Sequence, residues 1–99
     1  MIQERSDFMQ NLNNLFINIY PSLDLHGEFS DTIAYLINDF INDNVKLGNK
    51  IIVIIHGKGE GILKERTEEI LKNHKLVNSY ALSVDNPGAT IVELKVSSK

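Results

Sequence analysis

The sequence contains no cysteine. This absence excludes disulfide bonds, thiolate zinc sites and a cysteine nucleophile, so any metal site would need histidine and carboxylate ligands. The sequence also lacks an apolar run approaching the roughly 20 residues that span a bilayer, and its first residues lack the layout of a secretory signal. We therefore expect a soluble, cytoplasmic protein that does not associate with membranes.

An excess of basic residues is missing as well. Ten lysines and arginines stand against thirteen aspartates and glutamates, which gives a net charge of −3. Proteins that coat long stretches of duplex bind largely through basic side chains that displace condensed counterions, so this balance argues against that class. A small basic patch remains compatible with contact to one junction, one loop or a ribosomal surface.

The length of 99 residues and the hydrophobic content of 42% fit a single domain. We divide the chain into an N-terminal helix with its connection, residues 1–21, and a globular domain, residues 22–99. Residues 5–20 place apolar side chains on one helical stripe, and Pro21 ends that helix. The stripe consists of Phe8, Leu12, Leu15, Phe16 and Ile19. We expect this helix to dock on the domain; the alternative is a helix that binds a partner protein.

Strand and helix patterns alternate from residue 23 onward. Residues 23–26 predict a short strand with Asp24 and His26 on the same face, because strand side chains alternate with a period of two. Ser30 is the predicted N-cap of the first helix, and Gly48 is its predicted stop. The β-branched run over residues 51–55 predicts a central parallel strand that is buried on both faces.

The second half of the chain continues this alternation. A glycine-rich turn leads into a second helix, which we predict to end near His74. Two alternating segments then predict strands, the first with Tyr80, Leu82 and Val84, the second with Thr90, Val92, Leu94 and Val96. Residues 86–89 (NPGA) predict a type II turn between them. The order βαβαββ predicts an α/β sandwich of two layers, with helices packed against a mixed sheet.

Three short motifs occur in a fixed order: LDLHG at residues 23–27, HGKGEG at residues 56–61 and GATIVELK at residues 88–95. In this order and at these spacings they resemble the LDLHG opening, the HGxGxG loop and the GxTxVxL closing strand of the Smr (small MutS-related) domain family. The resemblance implies a fold similar to the C-terminal domain of translation initiation factor three. It also implies contact with nucleic acid, since some members nick DNA or cut RNA while others are known only to bind.

The resemblance assigns functional positions in the first two motifs to Asp24, His26, His56, Gly57, Lys58, Gly59 and Gly61. Asp24 and His26 are candidate catalytic residues, because a carboxylate beside an imidazole can orient it and stabilise its protonated form. In RNA cleavage His26 would accept the proton of an attacking 2′-hydroxyl, while Lys58 or Lys64 would offset the charge on the transition state. The alternative is that Asp24 and His26 only cap the strand end by hydrogen bonds.

The segment over residues 56–61, called here the glycine loop, is a candidate phosphate site. Its glycines allow close backbone approach and lead into a helix N-terminus, where free N–H groups and the helix dipole favour phosphate. The alternative is a tight turn that needs glycine for its geometry alone. Glu60 adds a negative charge to the loop, and Lys64 lacks the bidentate fork that arginine would offer, so both weaken phosphate clamping.

Cofactors are not indicated by these motifs. The glycine loop matches neither GxxxxGK[ST] nor GxGxxG, so ATP and NAD are unsupported. Asp24, His26 and His56 form a conceivable two-histidine, one-carboxylate metal set, but sequence does not show the converging geometry that a metal needs. We predict a structure-selective endonuclease that acts on branched DNA or on RNA; the alternatives are a non-catalytic module that docks on nucleic acid or a ribosome, and an interaction protein that uses the N-terminal helix.

Overall fold

A computed structural model of the protein describes residues 20–58 and 61–96. The elements follow in the order β1 (Ser22–Asp24), α1 (Ile33–Leu47), β2 (Ile51–Ile55), α2 (Ile62–Lys72), β3 (Val77–Leu82) and β4 (Ala89–Leu94). This order confirms the predicted βαβαββ arrangement. The helix predicted over residues 5–20 lies outside the described residues except for Tyr20.

The four strands form one mixed sheet in the order β1-β2-β4-β3. Strand β1 runs parallel to β2, with Ser22 opposite Val53, while β4 runs antiparallel to both β2 and β3. The position of β2 between β1 and β4 confirms the prediction that the β-branched run is central. The parallel pairing places the carboxyl ends of β1 and β2 at the same edge of the sheet, which is where ligands of α/β sheets usually bind.

One face of the sheet packs against both helices and forms the hydrophobic core. The core contains side chains from all layers, including Ile37, Ile41, Leu71, Ile52, Ile54, Val92 and Leu94. The alternate side chains of the strands point to the other side, called here the second face. Its apolar residues are Ile51, Val53, Ile55, Ala81, Ala89 and Ile91, and the same register places the polar residues Ser22, Asp24, Ser79 and Glu93 around them. Neither described helix contributes to the second face, and this arrangement confirms the two-layer sandwich.

The N-cap of the first helix lies two residues later than predicted. Thr32, not Ser30, occupies the N-cap position, so the prediction of Ser30 was wrong. The reason is a turn before the helix, in which the amide and the hydroxyl of Thr32 both donate to the carbonyl of Phe29 at 3.0 and 2.9 Å. The predicted stop is confirmed, because Gly48 adopts a left-handed φ of 81° at the C-cap.

Helix α2 ends at Lys72, close to the predicted end near His74. Asn73 follows as the C-cap, and its side-chain amide donates to the carbonyl of Glu69 at 3.0 Å. The prediction that β3 includes Val84 was wrong. Strand β3 ends at Leu82, so Val84 lies beyond it and is exposed.

The turn at residues 86–89 is closed by a 3.0 Å hydrogen bond from the Ala89 amide to the Asn86 carbonyl. It is not the predicted type II turn, because Gly88 does not adopt the positive φ that this turn requires at its third position. The Asn86 side chain accepts a hydrogen bond from the Gly88 amide at 3.0 Å, and this contact fixes the glycine in an ordinary backbone conformation.

Candidate functional site

A cleft of about 440 Å³ lies at the sheet edge where β1 and β2 end. A 2.7 Å hydrogen bond from the Leu25 amide to the Ile55 carbonyl extends the parallel pairing past β1 and brings the first two motifs side by side. The residues that line the cleft are His26, Gly27, His56, Gly57, Lys58, Gly61, Ile62, Leu63 and Lys64. The structure therefore brings together most of the site residues predicted from sequence.

The first motif forms a tight turn that presents His26 at the surface. The amide of Glu28 donates to the carbonyl of Leu25 at 2.9 Å, and Gly27 adopts a φ of +85°, which fits the third position of a type II turn. Within this turn, the carboxylate of Asp24 accepts a hydrogen bond from the backbone amide of His26 at 2.9 Å. Among the described hydrogen bonds none joins Asp24 to the imidazole of His26, so the carboxylate holds the turn and not the ring.

His56 is buried and uses both of its ring nitrogens for internal hydrogen bonds. Its Nε2 lies 2.9 Å from the hydroxyl of Thr90, and its Nδ1 lies 3.1 Å from the carbonyl oxygen of Gly57. Because a carbonyl oxygen can only accept, Nδ1 carries a proton in this contact, while the Thr90 hydroxyl can accept from Nε2 or donate to it. The two contacts tie the end of β2 to the start of β4.

The glycine loop rests on the turn before β4. The amides of His56 and Gly57 both donate to the carbonyl of Gly88, at 2.8 and 2.9 Å. The two backbones are so close that a Cβ atom on Gly88 would lie 3.1 Å from the carbonyl carbon of Gly57 and 3.2 Å from Cγ of Lys58. Gly57 itself adopts a φ of +84°, a left-handed conformation that side chains disfavour. Gly59 and Glu60 lie outside the described residues.

The loop leads into α2 through Gly61, which caps the helix with a φ of +86°. Its carbonyl accepts the first helical hydrogen bond from the Glu65 amide at 2.9 Å. The first amides of an α-helix have no partner within the helix, and they carry the positive end of its dipole. Since Ile62, Leu63 and Lys64 line the cleft, this helix end forms one wall of it, and such an arrangement favours anions.

Two lysines supply the positive charge of the cleft. Lys58 is exposed, and Lys64 forms an ion pair with Glu68 one turn further along α2, with 3.6 Å between Nζ and Oε2. Exposed pairs of this kind contribute only about 0.3–0.5 kcal/mol, so the Lys64 ammonium is free to exchange its partner for a phosphate. Within residues 20–58 and 61–96, no group of three histidine or carboxylate side chains is arranged to hold a metal ion.

Sequence reasoning missed the supporting residues from the third motif. Gly88 holds the backbone of the glycine loop, and Thr90 holds the ring of His56, yet neither was assigned to the site. The available signal was the Gly-x-Thr spacing at the start of β4, which places both residues opposite the end of β2. Their contacts depend on the antiparallel register of β2 and β4, with Ile55 opposite Ala89.

The fold and the three motifs agree with comparisons to known proteins. The Smr domain family model matches residues 23–95. This chain belongs to the Smr domain family. It is 38% identical over 81 residues to endonuclease MutS2 of Clostridium kluyveri and 39% identical over 75 residues to endonuclease MutS2 of Helicobacter pylori. These matches cover 79% and 73% of the chain but only 10% of each relative.

Two solved structures share the architecture of this Smr domain. The Smr domain of Thermus thermophilus MutS2 superimposes with a TM-score of 0.73 at 27% identity, over 75% of this chain and 96% of that one. YdaL, a stand-alone small MutS-related protein from Escherichia coli, gives a TM-score of 0.72 at 25% identity, over 77% of this chain and 67% of that one. In the described part of the chain, no helix has the length and apolar character needed to cross a membrane.

Proposed function

We propose that this Smr domain binds nucleic acid in the cleft and cleaves it as a structure-selective endonuclease on branched DNA or on RNA. The observation that carries the proposal is the convergence of an exposed histidine, His26, with Lys58, Lys64 and the N-terminus of α2 at one edge of the sheet. The name endonuclease MutS2, which the Clostridium and Helicobacter relatives bear, supports the same class of activity.

The phosphate to be cleaved would bind between α2 and the glycine loop. The first amides of α2 offer hydrogen-bond donors, and the ammonium groups of Lys58 and Lys64 supply positive charge for a phosphodiester and for the extra charge of its transition state. These groups favour the transition state more than the ground state only if they lie close to the oxygens on which charge develops. The internal hydrogen bonds of His56 would then position the loop, leaving direct ligand contact to the lysines and the helix end.

His26 would act as the general base. On RNA a neutral imidazole would accept the proton of the 2′-hydroxyl that attacks the adjacent phosphate, as the bond from phosphorus to the 5′-oxygen breaks. On DNA it would accept the proton of an attacking water, as one P–O ester bond breaks. In both cases the leaving alkoxide would take a proton from solvent water. Asp24 would contribute by holding the turn that aims the imidazole into the cleft, since its carboxylate bonds the backbone amide of His26. The sequence predicts that Asp24 orients the imidazole of His26 directly. A contact to the backbone amide instead changes the result that is expected for Asp24→Asn.

A second candidate function is a non-catalytic module that docks on nucleic acid or on a ribosome. The observation that favours it is that two charged groups near the cleft already have partners within the protein. Asp24 accepts a hydrogen bond from the backbone amide of His26, and Lys64 forms an ion pair with Glu68. Such a module would bind with strong salt dependence and leave its substrate intact.

The cleavage experiment uses purified protein with labelled stem-loop RNA, single strands and branched DNA, each with and without chelator. We expect His26→Ala to lower cleavage by about 10²-fold or more, the usual contribution of a general base. His74→Ala is the matched control, because His74 lies after α2 and does not line the cleft. Cleavage that persists unchanged in His26→Ala would show contamination and would overturn the endonuclease proposal, while binding without product in all variants would support the docking module.

Asp24 variants test its role separately. Asn retains a side-chain oxygen that can accept the amide hydrogen of His26, whereas Ala does not. If Asp24 acts through the turn, Asp24→Asn should keep most of the activity and Asp24→Ala should lose it. Equal losses in both variants would mean that the negative charge itself is required, and would contradict a role in holding the turn.

The binding experiment compares two double substitutions with the same change in net charge. Lys58→Glu with Lys64→Glu alters the cleft, whereas Lys46→Glu with Lys72→Glu alters the last turns of the two helices. Each phosphate contact contributes about 0.7–0.9 to the slope of log K against log salt, so the cleft variant should lower that slope by roughly 1.5. Equal weakening by both variants would mean that overall charge, and not the cleft, governs binding.

A further inference from the structure

The second face of the sheet has an apolar surface with no described helix on it. Val53 is buried at its centre, while Ile51, Ile55 and Ile91 around it are only half-buried and Ala81 is exposed. A shallow groove of about 240 Å³ lies on this face, where the apolar side chains of Ile51, Ala81 and Ile91 line it together with the polar Ser79 and Glu93. Because a sheet buries its apolar side chains by packing another layer on them, these side chains fit a third layer.

The chain enters the sheet at a defined point. The carbonyl of Pro21 accepts a 2.9 Å hydrogen bond from the amide of Val53, so residue 21 lies directly before the edge strand β1, next to the middle of β2. Residues 1–19 precede this point directly, and only Tyr20 and Pro21 separate their apolar stripe from β1. Such a short connection keeps the stripe next to the sheet, and α1 and α2 already cover one of its two faces, so the second face is the apolar surface that is open to it.

The sizes of the two surfaces also match. A helix from Phe8 to Ile19 would extend about 17 Å, at 1.5 Å per residue. A five-residue strand such as β2 extends roughly 16 Å, at about 3.3 Å per residue. The stripe carries five large apolar side chains, and the partly exposed isoleucines of the second face offer the complementary apolar area.

We propose that residues 5–19 form an amphipathic helix whose apolar stripe covers the second face of the sheet. The N-terminal helix would then pack on the open side of the sheet of the two-layer domain, opposite α1 and α2. This helix lies away from the cleft that binds nucleic acid, and its role is to complete the fold on the face that the four strands leave partly exposed.

The composition allows a direct test of this contact, since the chain has neither tryptophan nor cysteine. Phe16→Trp places a single tryptophan on the stripe, and Ala81→Cys places a single thiol on the second face for a bimane label, whose fluorescence tryptophan quenches on contact. The control label is Tyr35→Cys, because Tyr35 is exposed on α1 on the opposite side of the sheet. We expect quenching of the label at position 81 and none at position 35, independent of protein concentration.

A matched pair of charge substitutions tests the stripe itself. Leu12→Glu lies on the stripe and Asn13→Glu lies beside it, so both add one negative charge to the same turn. We expect Leu12→Glu to abolish quenching at position 81 and to lower Tm by about 5 °C or more, while Asn13→Glu changes neither.

Two outcomes would overturn the proposal. The absence of quenching at position 81 in the full chain, where the tryptophan and the label are in one molecule, would mean that the segment does not cover this face. Quenching that appears only when molecules carrying the tryptophan are mixed with molecules carrying the label would mean that a second copy of the chain covers it.

Discussion

Gly88→Ala tests whether the geometry of the glycine loop depends on the turn before β4. The new Cβ would lie 3.1 Å from the carbonyl carbon of Gly57 and 3.2 Å from both Cγ of Lys58 and Oδ1 of Asn86. Favourable contacts between carbon atoms lie at about 3.5–4.0 Å, so the loop must move away by roughly half an ångström. Because φ of Gly88 is not positive, the alanine itself fits the backbone, and the steric contact alone sets the cost.

Overpacking of this kind typically lowers the free energy of unfolding by about 1–3 kcal/mol. Alanine also restricts the unfolded chain, and this restriction raises the free energy of unfolding by about 0.4–1 kcal/mol. We therefore expect a net loss of about 1–2 kcal/mol, measured as the free energy of unfolding in urea, and a fall in Tm of roughly 5–15 °C for a chain of this size. We also expect weaker binding of labelled nucleic acid, because the displaced residues include Lys58 and the Gly57 amide that bonds the Gly88 carbonyl.

The matched control is Gly48→Ala. Gly48 has a φ of +81° with no atom within 4 Å of its added Cβ, so alanine there incurs only a backbone cost of about 1–2 kcal/mol. It lies at the end of α1 and does not line the cleft. Equal losses of affinity in both variants would show that general destabilisation weakens binding, and wild-type stability and affinity in Gly88→Ala would refute the proposed support of the loop by this turn.

Two more predictions concern buried polar groups. Thr90→Val should cost about 1–3 kcal/mol in the free energy of unfolding, because it leaves Nε2 of His56 buried without its partner; Thr67→Val is the control and should be neutral or stabilising, since the Thr67 hydroxyl finds no partner in the part of the chain that is described. Comparable losses in both variants, by urea denaturation, would contradict this. The pKa of His74 is lowered from its ordinary 6.5 by burial and then by Lys75, and its Nδ1 accepts the Leu76 amide. Because the pKa of His74 is lower in the folded state, the unfolded state binds the proton at a higher pH than the folded state does. The stabilisation of the fold by neutral His74 is therefore present above about pH 6.5 and is lost as pH falls through the pKa of the folded state. In His74→Asn the side chain keeps a hydrogen-bond acceptor but does not titrate. Between pH 7.5 and 5 the Tm of this variant should therefore fall less steeply than that of the wild type, and an equal fall in Tm would refute the role of His74.

The architecture could be predicted from sequence because hydrophobic periodicity reports which side chains are buried. The β-branched run of β2 and the stripe of α1 have strong patterns, and both elements lie where they were expected. Boundaries were harder to predict, since they depend on single hydrogen bonds. Ser30 is a good cap by type, yet the Thr32 bonds to the Phe29 carbonyl decide where α1 begins.

The candidate site was predicted in part for a similar reason. The two motifs at the ends of β1 and β2 could be placed together, because parallel neighbours end at the same sheet edge. The detailed contacts could not be predicted, since a carboxylate two residues from a histidine can bond either the ring or the backbone amide. In the structure Asp24 bonds the amide of His26. Whether Asp24 and His26 are catalytic stays a prediction.

The charge distribution connects the proposed site with the acidic composition of the chain. Lys64 lies in the first turn of α2 and Lys58 in the glycine loop before it, whereas Glu65, Glu68 and Glu69 follow along the same helix. At physiological salt, charges are screened beyond about 8 Å, so a phosphate in the cleft interacts mainly with Lys58, Lys64 and the Glu68 carboxylate 3.6 Å from Lys64. A strand that continues along α2 meets as many acidic as basic side chains, because Arg66 and Lys72 accompany the glutamates. A long regular duplex would therefore gain little from contacts outside the cleft. Under the proposed function, nucleic acid that bends away at a junction or a loop would give up no favourable contact along α2, and this would permit structure selectivity despite the net charge of −3.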